Sequence, residues 1–279
     1  MDKNVIGKTS FYKLGGASTY SGITYRRHGL ETRVVSNVAP EDARLLDILR
    51  RENIFVLNGR SARTTHFVNV VEGDDLRQEL PFTADPIGDH QIHEIIARGD
   101  MLHLGPLHPA DIEDRALKRL NRPEAFIVLD VQGYLRRPIN KIVYPGVSRQ
   151  LARALAAARV VKANEGELNL IQDFYKTQLA ALMERFQIEE FIVTLGKQGG
   201  VVRAIRNGET RYEAAPIQSL SDPTGAGDVF LAAYVISRFW QSKNIPDACA
   251  YAAKLAARQI EGNYIKPEQL GLSPPGSSG

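Results

Sequence analysis

The chain has 279 residues, enough for one large α/β domain or for a core with a small appendage. Its 35 Lys and Arg against 32 Asp and Glu leave a net charge of +3, which excludes intrinsic disorder as the overall class and argues for no nucleic-acid partner. The single cysteine, Cys249, cannot form an internal disulfide, so a cytoplasmic location is expected. No apolar run reaches the roughly 18 residues of a membrane span. The best candidate, residues 229–240, is short and contains Arg238, so no membrane partner is expected.

Residues 1–14 are mostly polar, and none of them reads as a long buried strand. Short apolar and β-branched runs then alternate with helical spacing. A strand is predicted over 32–38, a helix over 41–51 and a strand over 54–57. Residues 63–86 alternate around a Glu-Gly-Asp-Asp turn and predict a β-hairpin projecting from the main sheet. There follow a helix over 87–98, a strand over 101–104, a helix over 109–120 and a strand over 126–130. Next come a helix over 147–158, a strand over 159–163, a helix over 165–186 and a strand over 191–195. Helices over 226–240 and 246–261 complete the series, and 273–279 reads as a flexible tail. Such alternation predicts a three-layer α/β/α fold on a mainly parallel sheet. The core is assigned to 1–62 and 87–272, and a β lid to 63–86.

Several tempting motifs fail. Gly7-Lys8-Thr9 lacks the upstream glycine and strand of a P-loop. His90, His93, His103 and His108 have no Cys or well-spaced carboxylate to complete a metal site. Gly15, Gly16 and Gly22 follow no strand, so they are not a dinucleotide fingerprint.

The informative segment is SDPTGAGDVF, residues 221–230. Pro223 stops the preceding extended stretch, and Gly225-Ala226-Gly227 presents unobstructed backbone amides where a helix begins. Unpaired amides and the positive end of the helix dipole make an anion site. An aspartate inside that ring competes with a bound anion. Asp228 makes sense there if it takes a proton from a hydroxyl that attacks a phosphate. A helix start with Asp in its first turn is the plain alternative.

At these residues the chain resembles the ribokinase-like carbohydrate kinases, the phosphofructokinase-B family. DPTGAGDVF is similar to that family's C-terminal signature, which makes Gly225, Ala226 and Gly227 an anion hole and Asp228 the general base. Lys162-Ala163-Asn164-Glu165-Gly166-Glu167 resembles its Asn-x-x-Glu motif. By that resemblance Asn164 and Glu167 help place magnesium, through water, and the phosphates. Thr194, Gly196, Gly199 and Gly200 fall in a segment similar to its nucleotide-side strand and glycine turn. Gly15-Gly16 matches its N-terminal diglycine against the sugar. Asp130-Val131-Gln132-Gly133-Tyr134-Leu135-Arg136 resembles a substrate-side strand end, so Gln132 and Arg136 are implied substrate contacts. The resemblance runs from about 14 to 261. It implies an ATP- and magnesium-dependent phosphotransferase acting on a hydroxyl of a sugar, cyclitol or nucleoside, with a homodimer through the lid as an expected assembly. A nucleotide- or sugar-binding protein on the same fold is the alternative.

Two departures matter. Ala17-Ser18-Thr19-Tyr20 follows the diglycine where many relatives carry asparagine, so Tyr20 either faces the substrate or packs on the first helix. Gln132 likewise stands where asparagine is frequent. Both shift the expectation from ribose and fructose phosphates toward a cyclitol or nucleoside. Asp2 sits at the right distance before Gly15-Gly16 to bind substrate hydroxyls, but the apolar strand that should lead into it is missing. We therefore expect the chain to be clipped or its start to be placed too late.

Overall fold

The structure, a computed structural model, describes residues 1–6, 9–72, 75–96, 100–120 and 126–272. The expected tail, 273–279, and the Gly7-Lys8 pair lie outside the described residues. In chain order the strands are β1 (Asp2–Ile6), β2 (Thr9–Lys13), β3 (Arg33–Ser36), β4 (Phe55–Asn58), β5 (His66–Glu72), β6 (Asp75–Phe82), β7 (Met101–Leu104) and β8 (Phe126–Asp130). They continue with β9 (Arg136–Ile139), β10 (Ile142–Pro145), β11 (Val160–Asn164), β12 (Glu190–Thr194), β13 (Gly200–Ala204), β14 (Gly208–Tyr212) and β15 (Gly271–Leu272). The main helices are α1 (Ala17–Arg27), α2 (Asp47–Arg51), α3 (Asp89–Ile95), α4 (Asp114–Leu120), α5 (Leu151–Ala157), α6 (Glu165–Tyr175), α7 (Leu179–Phe186), α8 (Ala226–Val235) and α9 (Ile245–Ile260).

A six-stranded sheet in the order β14-β13-β12-β11-β8-β7 forms the middle layer, with β7, β8, β11 and β12 parallel. Its strands β8, β11 and β12 are buried on both faces. Val128, Val160 and Ile192 join a cluster with α1, α8 and α9, while Ile127, Leu129, Val161 and Phe191 point the other way into α4, α5 and α7. That two-sided burial is why these strands read as unbroken apolar runs. The strands β3 and β4 form a separate parallel pair.

Between the β7 edge of the large sheet and the β3 edge of the small one lies a cleft of about 690 Å³. Its lining reaches Met1, Gly15 and Gly16 at one end and Trp240 at the other.

The structure modifies several expected elements. The hairpin predicted over 63–86 is present as β5 and β6, but it is the middle of a seven-stranded sheet, β15-β2-β1-β5-β6-β10-β9. Residues 1–14, which gave no strand signal, supply β1 and β2. There β1 runs parallel to β5 and antiparallel to β2, so backbone ladders rather than an apolar run define them. The helix expected over 165–186 is two helices, because Lys176 takes a left-handed conformation (φ 51°) and Gln178 is extended. The helix expected from 109 starts at Asp114. The Asp111 carboxylate instead accepts from the Leu107 amide at 2.8 Å, and Ile112 bridges to Ile87. The helix expected over 226–240 is α8 followed by a π-helical turn, Ile236–Trp240.

Candidate active site

Asp130, Asn164 and Thr194 stand at the carboxyl ends of the neighbouring parallel strands β8, β11 and β12. Asn164 is in register with Thr194, and Lys162 with Asp130. In open α/β sheets this is the edge where ligands bind. The N-terminus of α8 comes to the same place.

The turn into α8 is built locally. The Asp222 carboxylate accepts from the Thr224 amide at 2.8 Å, and the Ala226 amide donates to the Pro223 carbonyl at 3.2 Å. The Ala226 amide, implied by the resemblance to face an anion, is thus engaged inside the turn. Among the described residues the amides of Gly227 and Asp228 have no backbone acceptor, as first-turn amides of a helix do. Gly225 is left-handed (φ 77°), and a Cβ there would collide with the Tyr20 ring. Tyr20 is 0% exposed, so it packs beneath the turn instead of facing a substrate. Gly225→Ala is expected to cost at least about 1–2 kcal/mol from the left-handed backbone alone, read as a lower urea midpoint.

Charge is concentrated here. The Lys162 ammonium bonds to Asp130 at 2.7 Å, with both side chains 9% exposed. The same ammonium lies 3.0 Å from where a Cβ of Gly227 would be, directly against the turn. Burial alone would raise the Asp130 carboxyl, but the Lys162 charge holds it below its usual range. Burial would likewise lower Lys162, but Asp130 and Glu167 keep it raised and charged. Asp228 is pushed up to about 7, first by desolvation and then by Asp130, against the opposing pull of Lys162 and Arg136. Arg136 donates to the Leu107 carbonyl at 2.9 Å, and its guanidinium lies 4.6 Å from the centre of the Phe67 ring. Burial lowers its pKa, while Asp2, Asp130, Glu167 and Asp228 act to keep it charged.

The remaining expected residues fall at different depths. The Asp2 carboxylate lies against Gly15, where an added Cβ would strike it. Gly16, left-handed at φ 85°, caps α1 beside Leu107. Gln132 is exposed, and its backbone amide donates to the Asp130 carboxylate at 3.1 Å. Asn164 and Glu167 form a reciprocal capping box on α6, with hydrogen bonds of 2.9 and 2.8 Å. Glu167 is buried and its carboxyl is raised by desolvation and then by Asp130. Gly196 and Gly199 are left-handed in the turn after β12, where the Leu195 amide donates to the Gly199 carbonyl at 2.8 Å. Gly200 is buried where an added Cβ would collide with the Val193 carbonyl.

The family described as pfkB family carbohydrate kinase matches residues 10–264. The chain belongs to that family. This kinase is therefore a phosphotransferase with an alcohol group as acceptor, on a ribokinase-like α/β fold. No curated protein matches it. A solved pyrophosphate-dependent kinase of the ribokinase family, complexed with a pyrophosphate analog and myo-inositol, is similar at 21% identity and TM-score 0.80, covering 96% of this chain and 94% of that one. A Burkholderia thailandensis nucleoside kinase in complex with inosine aligns at 17% identity and TM-score 0.73, over 98% and 91% of the two chains. Ribokinase from Thermotoga maritima aligns at 17% and 0.68, over 96% and 92%. At these identities the likeness speaks for the fold alone.

Two residues of the kinase's charged cluster, Lys162 and Asp130, were not picked out as site residues from the sequence. A signal was there: a lysine and an aspartate that each follow directly on apolar and β-branched strand residues, a setting charged residues enter mostly when paired.

Proposed function

We propose that the kinase transfers a phosphoryl group to a hydroxyl of a sugar, cyclitol or nucleoside, with Asp228 as the general base. The observation that carries this reading is the placement of Asp228 in the first turn of α8, beside Lys162 and among charges that push its carboxyl up to about 7. A base works best when its pKa lies near the operating pH. The acceptor hydroxyl would lie between Asp228 and the Asp2–Gly15 contact, with Arg136 and Gln132 at its rim. As the oxygen attacks, its proton passes to the Asp228 carboxylate. Charge that develops on the transferred group meets the amides of Gly227 and Asp228 and the Lys162 ammonium, each fixed before reaction.

ATP is the proposed donor, resting along Asn164, Thr194 and the turn holding Gly196, Gly199 and Gly200. Magnesium fits this arrangement. Among the described residues no group of three His, Cys, Asp or Glu side chains converges on a metal. Asn164 and Glu167, tied together in their capping box, suit contact through water, as magnesium prefers. When bound, the ion would neutralise phosphate charge.

The likeness to a pyrophosphate-dependent kinase favours a second donor reading, pyrophosphate in place of ATP. A screen of inositols, nucleosides and hexoses against each donor separates the two. Product with ATP and none with pyrophosphate supports the first, the reverse supports the second, and no turnover with either overturns the kinase assignment of this site.

Two further results are expected. Below about pH 7, kcat/KM should fall about tenfold per unit, because a raised carboxyl must lose its proton before it can act as a base; a flat profile from pH 5 to 8 would contradict the role of Asp228. The lid sheet leaves Phe82, Ile139 and Tyr144 exposed at 42%, 43% and 45%, which supports a homodimer through the lid. Light scattering should then give twice the chain mass, and Tyr144→Asp should reduce it to the single-chain mass.

A further inference from the structure

Residues 105–111, GPLHPAD, join β7 to α4, and the proposed chemistry gives them no task. They nonetheless press against the acceptor side of the site at three points. A Cβ added to Gly133 would strike the Pro106 carbonyl, and one added to Gly105 would strike the Ala17 side chain. One added to Gly16 would lie 3.2 Å from Leu107. Pro106 and Pro109 restrict the backbone of the same loop. Leu107 is thereby fixed between the diglycine and the turn after Asp130. Both of its backbone groups are engaged. Its amide donates to the Asp111 carboxylate at 2.8 Å, and its carbonyl accepts from the Arg136 guanidinium at 2.9 Å. The second Asp111 oxygen lies 3.4 Å from the buried His108 ring, so the carboxylate is itself held.

A second support comes from the lid sheet. Phe67 on β5 is buried and stands in register with Asp2 on β1. Its ring centre is 4.6 Å from the Arg136 guanidinium. The company is notable for what it omits. Asp2, Asp130, Glu167 and Asp228 all act on this guanidinium, yet among the described residues it forms no ion pair with any of them. A loose arginine among four carboxylates would close onto one of them, because charge-assisted pairs are the strong ones. A guanidinium carries five N–H donors in a rigid fork. One hydrogen bond to a carbonyl and one stacked face hold it in place and leave further donors for whatever enters the site.

We propose that Phe67 and Asp111 are positioning residues of the reaction. Phe67 acts directly and Asp111 through the Leu107 carbonyl. Together they hold the Arg136 guanidinium for the acceptor hydroxyls and away from the neighbouring carboxylates. That role rests on Arg136 being an acceptor contact, as proposed above, so the support and the contact are tested separately.

The support is read without turnover, from the guanidinium proton signals of Arg136 in the NMR spectrum of the full chain, assigned by their loss in Arg136→Met. In the parent protein the Phe67 ring current should displace them. In Phe67→Leu and in Asp111→Ala they should move to the position of a freely rotating arginine. Signals unmoved in either variant overturn the role of that residue and leave the role of Asp228 untouched. The contact is read by kinetics with an acceptor that turns over. Arg136→Met should raise the acceptor KM by about tenfold or more, through loss of a charged hydrogen bond, with the donor KM unchanged. Phe67→Leu and Asp111→Ala should each raise the acceptor KM in the parent and add nothing in the Arg136→Met background. Asp111→Asn, whose amide oxygen can still accept from Leu107, should recover most of what Asp111→Ala loses. Losses that add in full mark a merely structural role and overturn the proposal. An acceptor KM unchanged by Arg136→Met removes Arg136 from the acceptor contacts, which overturns the active-site reading at that residue and the positioning role with it.

Discussion

Asp228→Asn is expected to lower kcat by roughly 10²–10⁴-fold, the range that a positioned general base contributes. The substitution keeps the size of the side chain and removes only the proton acceptor. Donor affinity, measured by calorimetry, should change little, because Asp228 is proposed to touch the acceptor hydroxyl. Stability gives an independent check. Desolvation and the charges of Asp130 and Asp2 oppose ionisation of Asp228. A neutral amide is relieved of that opposition, so the variant should melt no lower than the parent protein. Wild-type turnover would remove Asp228 from the mechanism. Lost turnover together with a collapsed melting curve would point to a structural role instead.

The other large effect concerns Lys162. Lys162→Met leaves the Asp130 carboxylate in a buried site without its ion-pair partner, the 2.7 Å contact that holds it ionised. Breaking a buried pair on one side costs about 3–5 kcal/mol, measurable by urea unfolding. Asp130→Asn added to Lys162→Met should recover much of that loss, since no uncompensated charge then remains. A second signature separates positioning from packing. Lys162 opposes the rise in the Asp228 pKa, so its removal should move the acid limb of the kcat/KM profile to higher pH. A loss below about 1 kcal/mol with an unmoved limb would show that the pair does neither job.

Much of the scaffold was legible because its signals are local. The strands at 101–104 and 126–130 occur where their apolar runs predict them, and β3, β4, β11 and β12 lie within one or two residues of expectation. The Gly225–Asp228 segment announced a helix N-terminus through its own backbone requirements, and Gly225 is left-handed as such a turn demands. Asn164 and Glu167 were paired in the sequence by resemblance alone, and the structure joins them in a capping box that spans three residues.

What lay beyond the sequence depends on groups far apart in the chain. Tyr20 could be read as a substrate contact or as packing, and only the crossing of α1 against α8 puts its ring under Gly225. Strands β1 and β2 left no apolar trace, since they exist through backbone ladders, to each other and to β5 and β15, the last two more than fifty positions away. The split of the helix expected over 165–186 turns on a left-handed lysine, a residue type with no local preference for that conformation.

The length and charge that open the sequence set a folded chain of ordinary composition, strand–helix alternation set an α/β class, and one ten-residue motif, 221–230, pointed to its family and to the residue to suspect as a base. Periodicity and backbone demands are written residue by residue, so the sequence alone carried them. The tertiary structure decided which charges share one low-dielectric space. It placed Lys162 between Asp130 and the α8 turn, raised Asp228 to about 7, and left two sheet edges facing one cleft. Coulomb interactions and strand pairing depend on distance in space, and only the folded chain supplies those distances.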